Sequence, residues 1–486
     1  MNGPGAIHAQ VCVVGAGPAG AALAARLARL GHDVALVERE AVPRSRVGES
    51  LGPGSWPLLD ALGLREAVAA AGFVRSAQAR IRWRTTSEES PVEYAGLTVD
   101  RGAFDSILLA NARAAGATVI TSTRAGRPRR VGDGWEVPLD GRVVHSRFLA
   151  DATGRRRLLG GPRTAVSPRT LALYAAWAGA EPVDRPQSRV DVLADAWLWG
   201  AHLPGGGFRA MAFVDPAAVA GAGPDRGRLY RRLLGASPMF AELLTDARPL
   251  GPVQVCDATS YLAAEPVDGS LVKVGEAAFA IDPLSSSGVQ VAGQTALAAG
   301  AVVHTLLTPE GDTRAAMRYY TDLVAHTVTR HAATATALYA EHETYANTAF
   351  WRRRSAGAQR ATPAGLPAPV RLSDLLAQPV RLVADATLEP VPCLVGERIE
   401  ARRALTCSAL DRPVAFLAGT ELAPLLEVLP VAPSLAGAVA IWDRKLSAGR
   451  GHEIAAWLAR RGLLRPLGQP PVLAADSHPT VTRADR

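Results

Sequence analysis

A chain of 486 residues, 48% hydrophobic and 20% charged, is long enough for two or three domains with sizeable cores and has the composition of an ordinary globular enzyme. Its net charge of +8 comes from arginine, since Lys273 and Lys445 are the only lysines, and the basic residues are spread without interleaved aromatics, which argues against a nucleic-acid partner. Four cysteines with no CxxC pair argue against a metal site or a disulfide framework, and no apolar run reaches the roughly eighteen residues a bilayer span needs, so a cytoplasmic protein without membrane contact is expected.

The first predicted element is the strand Val11 to Val14, followed by Gly15-Ala16-Gly17-Pro18-Ala19-Gly20, a small-residue helix from Ala21 to Leu30, and a second strand, Val34 to Val37, that ends at Glu38-Arg39. A lone GxGxxG carries little information, but here the whole strand-turn-helix-strand context of a dinucleotide site is present. Gly15 permits the tight turn, Gly17 lets backbone approach a pyrophosphate, and Gly20 lets helix and strand pack closely. The helix N-terminus offers N–H groups to the anion, and Glu38, about twenty residues on, is placed to hold a ribose.

Next comes Arg46-Val47-Gly48-Glu49-Ser50, a loop whose glycine and small polar residues suggest backbone lying close to a ligand. A helix is expected from Ser55, strands over 78–83 and 94–99, and a helix from an Asp100 N-cap to Gly116, with Arg101 in its first turn. Strands follow over 117–122, 135–139 and 143–150. The last runs into Asp151-Ala152-Thr153-Gly154, a second strand-to-glycine turn expected beside the first unit. Between Thr170 and Ala263 the hydrophobic period becomes two, which predicts an antiparallel sheet with an embedded helix over 227–234. Trp197, Trp199, His202, Met211 and Phe213 on that sheet are candidates to line a pocket, although each taken singly fits an ordinary core position as well. Strand-loop-helix logic returns at Gly275-Glu276 and Asp282-Pro283 through Gly288-Val289, and a long helical region then extends to about Phe350. A Pro, Gly and Ala-rich stretch over 355–369 reads as a linker. Beyond it, amphipathic helices over 421–429 and 451–462, with Ile441-Trp442 between them, indicate a separate unit.

Taken in order, Gly15 to Gly20 with Glu38, Arg46 with Gly48-Glu49-Ser50, Arg101, Asp151 to Gly154, and Gly275-Glu276 through Gly288 resemble the motifs of the FAD-dependent monooxygenase superfamily, which includes aromatic hydroxylases, tryptophan halogenases and geranylgeranyl reductases. The resemblance covers residues 10 to about 350. It implies an α/β fold: a Rossmann-like FAD-binding domain, an interleaved antiparallel β-sheet substrate domain, and a small C-terminal α+β or winged-helix-like domain. The expected partition is 1–77, 101–165 and 270–354 for FAD binding, 78–100 and 166–269 for the substrate sheet, 370–465 for the accessory domain, and 466–486 for a disordered tail. By the same resemblance, Arg46 and Arg101 face the FAD phosphate and ribitol region, Gly275-Glu276 binds the ribitol with Glu in place of the usual Asp, and Pro283 with the Gly288-Val289 backbone lies against the flavin ring. With one complete dinucleotide fingerprint, the reductant NAD(P)H is expected to bind transiently or to act through a partner flavin reductase, with O2 as co-substrate and a flavin C4a-hydroperoxide as the oxygen donor.

Within the superfamily, Val47 to Leu51 and Asp282 to Gly288 look most like the halogenase and reductase branch. The lysine that halogenases use to hold hypohalous acid is missing from Val74 to Trp83, and their WxWxIP signature is broken after Trp199. A closer resemblance, carried by Asp282 to Gln290, Phe350-Trp351-Arg352, Arg412 to Leu417 and Gly419 to Leu422, is to flavoproteins that hydroxylate a tryptophan of a partner peptide or protein during quinone-cofactor biogenesis. The activity expected is therefore oxygenation of an aromatic side chain on a peptide or protein partner. The alternatives are a flavin-dependent halogenase or a geranylgeranyl-reductase-like enzyme. No catalytic acid or base is assigned, and the C-terminal unit reads either as a peptide grip or as a stabilising cap.

Overall fold

The computed structural model describes residues 5–44, 46–87, 90–180, 187–358, 370–447 and 449–468. Most of the expected linker, at 359–369, and of the expected tail, at 469–486, lies outside them. The chain divides into two compact units, one of residues 1–361 with 394–399 and the other of residues 362–393 with 400–486.

In the first unit the strand Ala6–Val14 is central because its neighbours on both sides run parallel to it: Val34–Val37 in the register Val11 to Val34, and Arg142–Asp151 in the register Val11 to Phe148. Val11, Cys12 and Val13 are fully buried, as expected for a parallel strand covered on both faces. The sheet runs Thr118–Ile120, Val34–Val37, Ala6–Val14, Arg142–Asp151, Gly134–Leu139 and Arg129–Val131, with Leu271–Lys273 also paired to Arg142–Asp151. Strands from widely separated parts of the sequence thus meet in one sheet. On it lies the helix Pro18–Arg29, with proline in the first turn and a buried face of alanines and leucines. Small side chains let this helix pack closely against Arg101–Ala114 and Gly288–Leu307. Asp100 caps the first of these by accepting from the Ala103 N–H at 2.7 Å.

The period-two region forms a second sheet, ordered Arg248–Pro249, Leu171–Ala178, Phe208–Val214, Ala196–His202, Gln187–Leu193, Val74–Ile81, Ser90–Thr98 and Ser50–Leu51, with Gln254–Asp257 paired to Leu171–Ala178. Its register puts Trp197 opposite Phe213 and Trp199 opposite Met211. Alternation then splits the sheet into two faces. Leu198, Phe208, Ala210 and Ala212 pack on the helices Arg226–Gly235 and Pro238–Leu243, while Trp197, Met211 and Phe213 form a separate aromatic cluster. The long helical region is three helices, Gly288–Leu307, Thr313–Ala340 and Ala349–Ser355. Pro309 and Gly311 interrupt the first, and Asp312 restarts the chain as an N-cap, accepting from Ala315 N–H at 2.9 Å.

The second unit is α+β. Helices Leu435–Asp443 and Arg450–Arg460 pack with short two-stranded ribbons around Leu405, Leu422, Leu435, Trp442, Ile454 and Leu458. The helix expected over 421–429 is shortened to Ala423–Leu426, and Ile441-Trp442 lies inside a helix, where the Trp442 indole N–H donates to Leu425 O at 2.9 Å.

Candidate functional site

The glycine turn sets the geometry of the site. Gly15 has φ of +103°, and a Cβ there would lie 2.5 Å from Ala152 O. A Cβ on Gly20 would lie 1.8 Å from Gly15 O, so helix and strand touch through glycine alone. Gly17 is different: a Cβ there would meet nothing within 4 Å, because the residue faces open space at the start of the Pro18–Arg29 helix. That helix has no side-chain cap and no acidic residue in its first turn, so its terminal N–H groups and dipole are left for an anion. Glu38 closes the cradle: Oε2 accepts from Ala16 N–H at 2.8 Å and Oε1 from Glu40 N–H at 3.1 Å. These features fit the pyrophosphate and ribose of a dinucleotide.

From this cradle a cavity of about 530 Å³ runs through the first unit to the aromatic face of the second sheet. Of the residues singled out in the sequence, Gly15, Gly17, Pro18, Ala19, Glu38, Arg39, Arg46, Gly48, Glu49, Ser50, Arg101, Thr153, Gly154, Gly275, Glu276, Pro283, Gly288 and Val289 line it, as do Trp197, Trp199, Met211 and Phe213. Ala16, Gly20, Asp151 and His202 are not among the lining residues. Ala16 supplies its N–H to Glu38, and Gly20 is spent on the helix-to-strand contact. Asp151 instead builds the second turn. Its Oδ1 accepts from the Thr153 N–H and hydroxyl at 3.0 and 2.6 Å, and its Oδ2 accepts from Leu159 N–H at 3.1 Å. His202 lies opposite Phe208 in the strand register, on the other sheet face from Trp197, with the two rings 5.1 Å apart. Odd spacing from both tryptophans along the strand puts it there, so the expected place beside them is corrected.

Two of the cavity arginines, Arg101 and Arg155, are committed to protein partners. Arg101 grips both Asp105 carboxylate oxygens at 3.0 Å and donates to Val47 O at 3.0 Å, which fixes the 46–50 loop against the cavity. Arg155, adjacent to the Thr153-Gly154 turn, donates to Glu276 Oε1 at 2.8 Å and so joins the second and third turns.

Several residues that matter were not singled out in the sequence. Arg209 pairs with the buried Glu49 at 2.8 Å and lies over the Tyr174 ring at 5.6 Å. Its position two before Met211 on an alternating strand was the available signal. Trp197 stacks on Phe213 with ring centres 3.8 Å apart, and behind them Trp83, Tyr339 and Trp351 interlock edge to face. Asp282 also lines the cavity. Its Oδ1 accepts from Leu284 N–H at 3.0 Å, and the Tyr339 hydroxyl is 3.4 Å from both carboxyl oxygens. Burial pushes the Asp282 carboxyl above the usual range and the Tyr339 phenol well above its own. Burial also pushes the cavity-lining Cys256 thiol up to about 11, which makes it an inert neutral group. No lysine lines the cavity among the described residues, and among them no cluster of metal-ligating residues occurs.

Residues 8–156 match the family model for the FAD binding domain. The chain is 31% identical over 340 residues to tryptophan 2-halogenase from Chondromyces crocatus, an alignment that covers 64% of each protein, so somewhat less than two thirds of that relative's length is spanned. Among solved structures it is similar to a peptidyl tryptophan dihydroxylase, QhpG, essential for tryptophylquinone cofactor biogenesis, at 28% identity and TM-score 0.74 over 94% of this chain and 100% of that one. It is also similar to the myxobacterial chondrochloren halogenase CndH at 25% identity and TM-score 0.66, over 74% and 89% of the two chains. Residues 8–156 therefore form an FAD binding domain, and the cradle, the interleaved second sheet and these likenesses give the chain the fold of FAD-binding halogenases and monooxygenases.

Proposed function

We propose that the protein is an FAD-dependent monooxygenase that oxygenates an aromatic ring, a tryptophan side chain presented by a partner peptide or protein. The observation that supports this reading is the single cavity that connects the glycine cradle to the stacked face of Trp197 and Phe213. FAD bound there would supply the oxygen-activating chemistry once reduced by NAD(P)H or by a partner reductase. The protein's own work is then threefold. The cradle and Glu38 anchor the dinucleotide end. The Arg101 clamp on Val47 O holds the neighbouring loop in place. The apolar wall of Trp197, Met211 and Phe213 receives a flat ring and excludes water, so that an electrophilic oxygen is delivered to carbon and is not lost to solvent. Likeness to the peptidyl tryptophan dihydroxylase over nearly the whole chain favours a peptide-borne substrate.

Halogenation is the second reading, favoured by the identity to tryptophan 2-halogenase. Against it, the lysine implied by that chemistry has no counterpart in the Val74–Ile81 strand or elsewhere along the cavity among the described residues. Incubating the flavin-loaded enzyme with NAD(P)H, air, chloride or bromide, and tryptophan-bearing peptides, followed by mass spectrometry, separates the two. One or two added oxygen atoms that carry label from 18O2 are expected. Incorporated halogen, or turnover without oxygen, would overturn the proposal.

A further inference from the structure

The acidic residues of the cavity wall are not equivalent. Glu49 is paired with Arg209, Glu276 with Arg155, and Glu38 accepts from two backbone N–H groups. Asp257 has Arg155 and Arg163 within 3.8 Å and accepts from Thr259 N–H at 2.9 Å. Asp282 has no cation within ion-pair distance among the described residues. Its contacts are the Leu284 N–H and, at 3.4 Å, the Tyr339 hydroxyl. Arg354 is the charged group nearest in effect, but its guanidinium is taken up by Asp215 at 2.9 Å, Thr170 at 2.8 Å and Phe350 O at 3.2 Å. An ionised carboxylate buried beside the Tyr339 hydroxyl without a counter-ion would carry a large desolvation cost, and keeping its proton removes that cost.

We infer that Asp282, held by the buried Tyr339 hydroxyl behind it, is a hydrogen-bond donor of this cavity, its carboxyl carrying a proton and presenting its O–H to an acceptor on a flavin ring bound against the Pro283 turn. A carboxylic acid kept neutral by an apolar site so that it can donate has precedent in enzyme chemistry. A donor aimed at a ring carbonyl or ring nitrogen draws electron density from the flavin and favours its reduction. The Tyr339 hydroxyl, long to both oxygens, keeps the carboxyl in place without supplying a counter-charge. This inference deepens the proposed function and rests on that cavity being the flavin site.

Infrared difference spectra and a reductive titration of the flavin-loaded enzyme test it. Expected are a protonated-carboxyl band at neutral pH that is lost in Asp282→Asn and shifts in Tyr339→Phe, displacement of that band when FAD is added to apoprotein, and a lower flavin reduction potential in Asp282→Leu. If flavin-loaded wild type and Asp282→Asn give the same carboxyl bands, or if the band ignores FAD and the potential does not fall, the donor role is overturned while the cavity remains the flavin site. If the wild type takes up no FAD at all, the inference falls together with the reading of the cavity. Should Asp282→Asn fail to fold, Tyr339→Phe decides alone: an unshifted band overturns the inference.

Discussion

The two ends of the cavity are built on different principles. At the cradle, backbone does the recognition. Gly15, Gly17 and Gly20 lie within six residues of one another, Glu38 bonds back to Ala16, and the selective features are an absent Cβ and a free helix terminus. At the aromatic wall, side chains do it, and they come from far apart: Trp83 follows a strand of the second sheet, Trp197 and Phe213 lie on adjacent strands, and Tyr339 and Trp351 on two late helices. The difference teaches that the cradle tolerates almost no added volume at Gly15 and Gly20, whereas the wall depends on what fills it. Recognition by backbone serves a cofactor that does not change. Under the proposed function, an interlocked set of rings leaves room for substrate specificity to vary without disturbing the dinucleotide turn.

The sharpest way to break this contrast is Gly20→Ala. Its methyl group would sit 1.8 Å from a backbone oxygen that cannot move aside, and loss of FAD uptake by about tenfold or more, or loss of the folded protein, is expected in a flavin-titration assay. Arg209→Met comes next, since it strands the buried Glu49 without its counter-ion. Destabilisation of about 3–5 kcal/mol is expected by denaturant unfolding, with recovery when Glu49→Gln is added. At the wall, Phe213→Ala removes the partner stacked on Trp197 and should cost about 3 kcal/mol of stability or more. The loss of substrate turnover should exceed any loss of FAD affinity, and equal losses would erase the distinction between the two ends.

Asp282 links stability to pH. Its folded-state carboxyl titrates above the ordinary range, so the protein binds this proton more tightly than the unfolded chain does, and the stability it brings is present at low pH and lost as pH rises from the unfolded carboxyl range through the folded value. Wild type should therefore lose stability relative to Asp282→Asn as pH rises over that window, and parallel melting-temperature profiles would count against a neutral carboxyl. Glu276→Gln should have the smallest effect. The carboxylate is half-exposed and its pairing with Arg155 is worth less than about 1 kcal/mol, so a small weakening of FAD binding with unchanged unfolding is expected.

Much of the cradle was legible because every part of it is local: the glycine spacing, the apolar strand before it, the small-residue helix after it and Glu38 at the end of the next strand all fall within one short stretch. The Asp100 cap and the helix it starts were legible for the same reason. His202 was misplaced because its type and its tryptophan neighbours suggested a pocket while strand alternation turned it to the opposite face. Arg101 lines the cavity as expected, and what the sequence did not show is that Asp105 one helical turn later and the Val47 carbonyl hold its guanidinium. Asp282 sat in plain view inside its motif, yet nothing local to it says that no cation among the described residues pairs with it.

By itself, the order of residues determined the dinucleotide turn, the alternation that gives the second sheet two faces, and the FAD binding domain, since each depends on spacings within a few residues or on their succession along the chain. Only the tertiary structure decided that Arg209 meets Glu49 across 160 positions, that Trp83, Tyr339 and Trp351 close behind Trp197, and that Asp282 has no counter-ion among the described residues. The physical reason is that periodicity records which way a side chain points relative to its own strand or helix, whereas the identity of what it faces is set by the packing of segments whose separation along the chain carries no such signal.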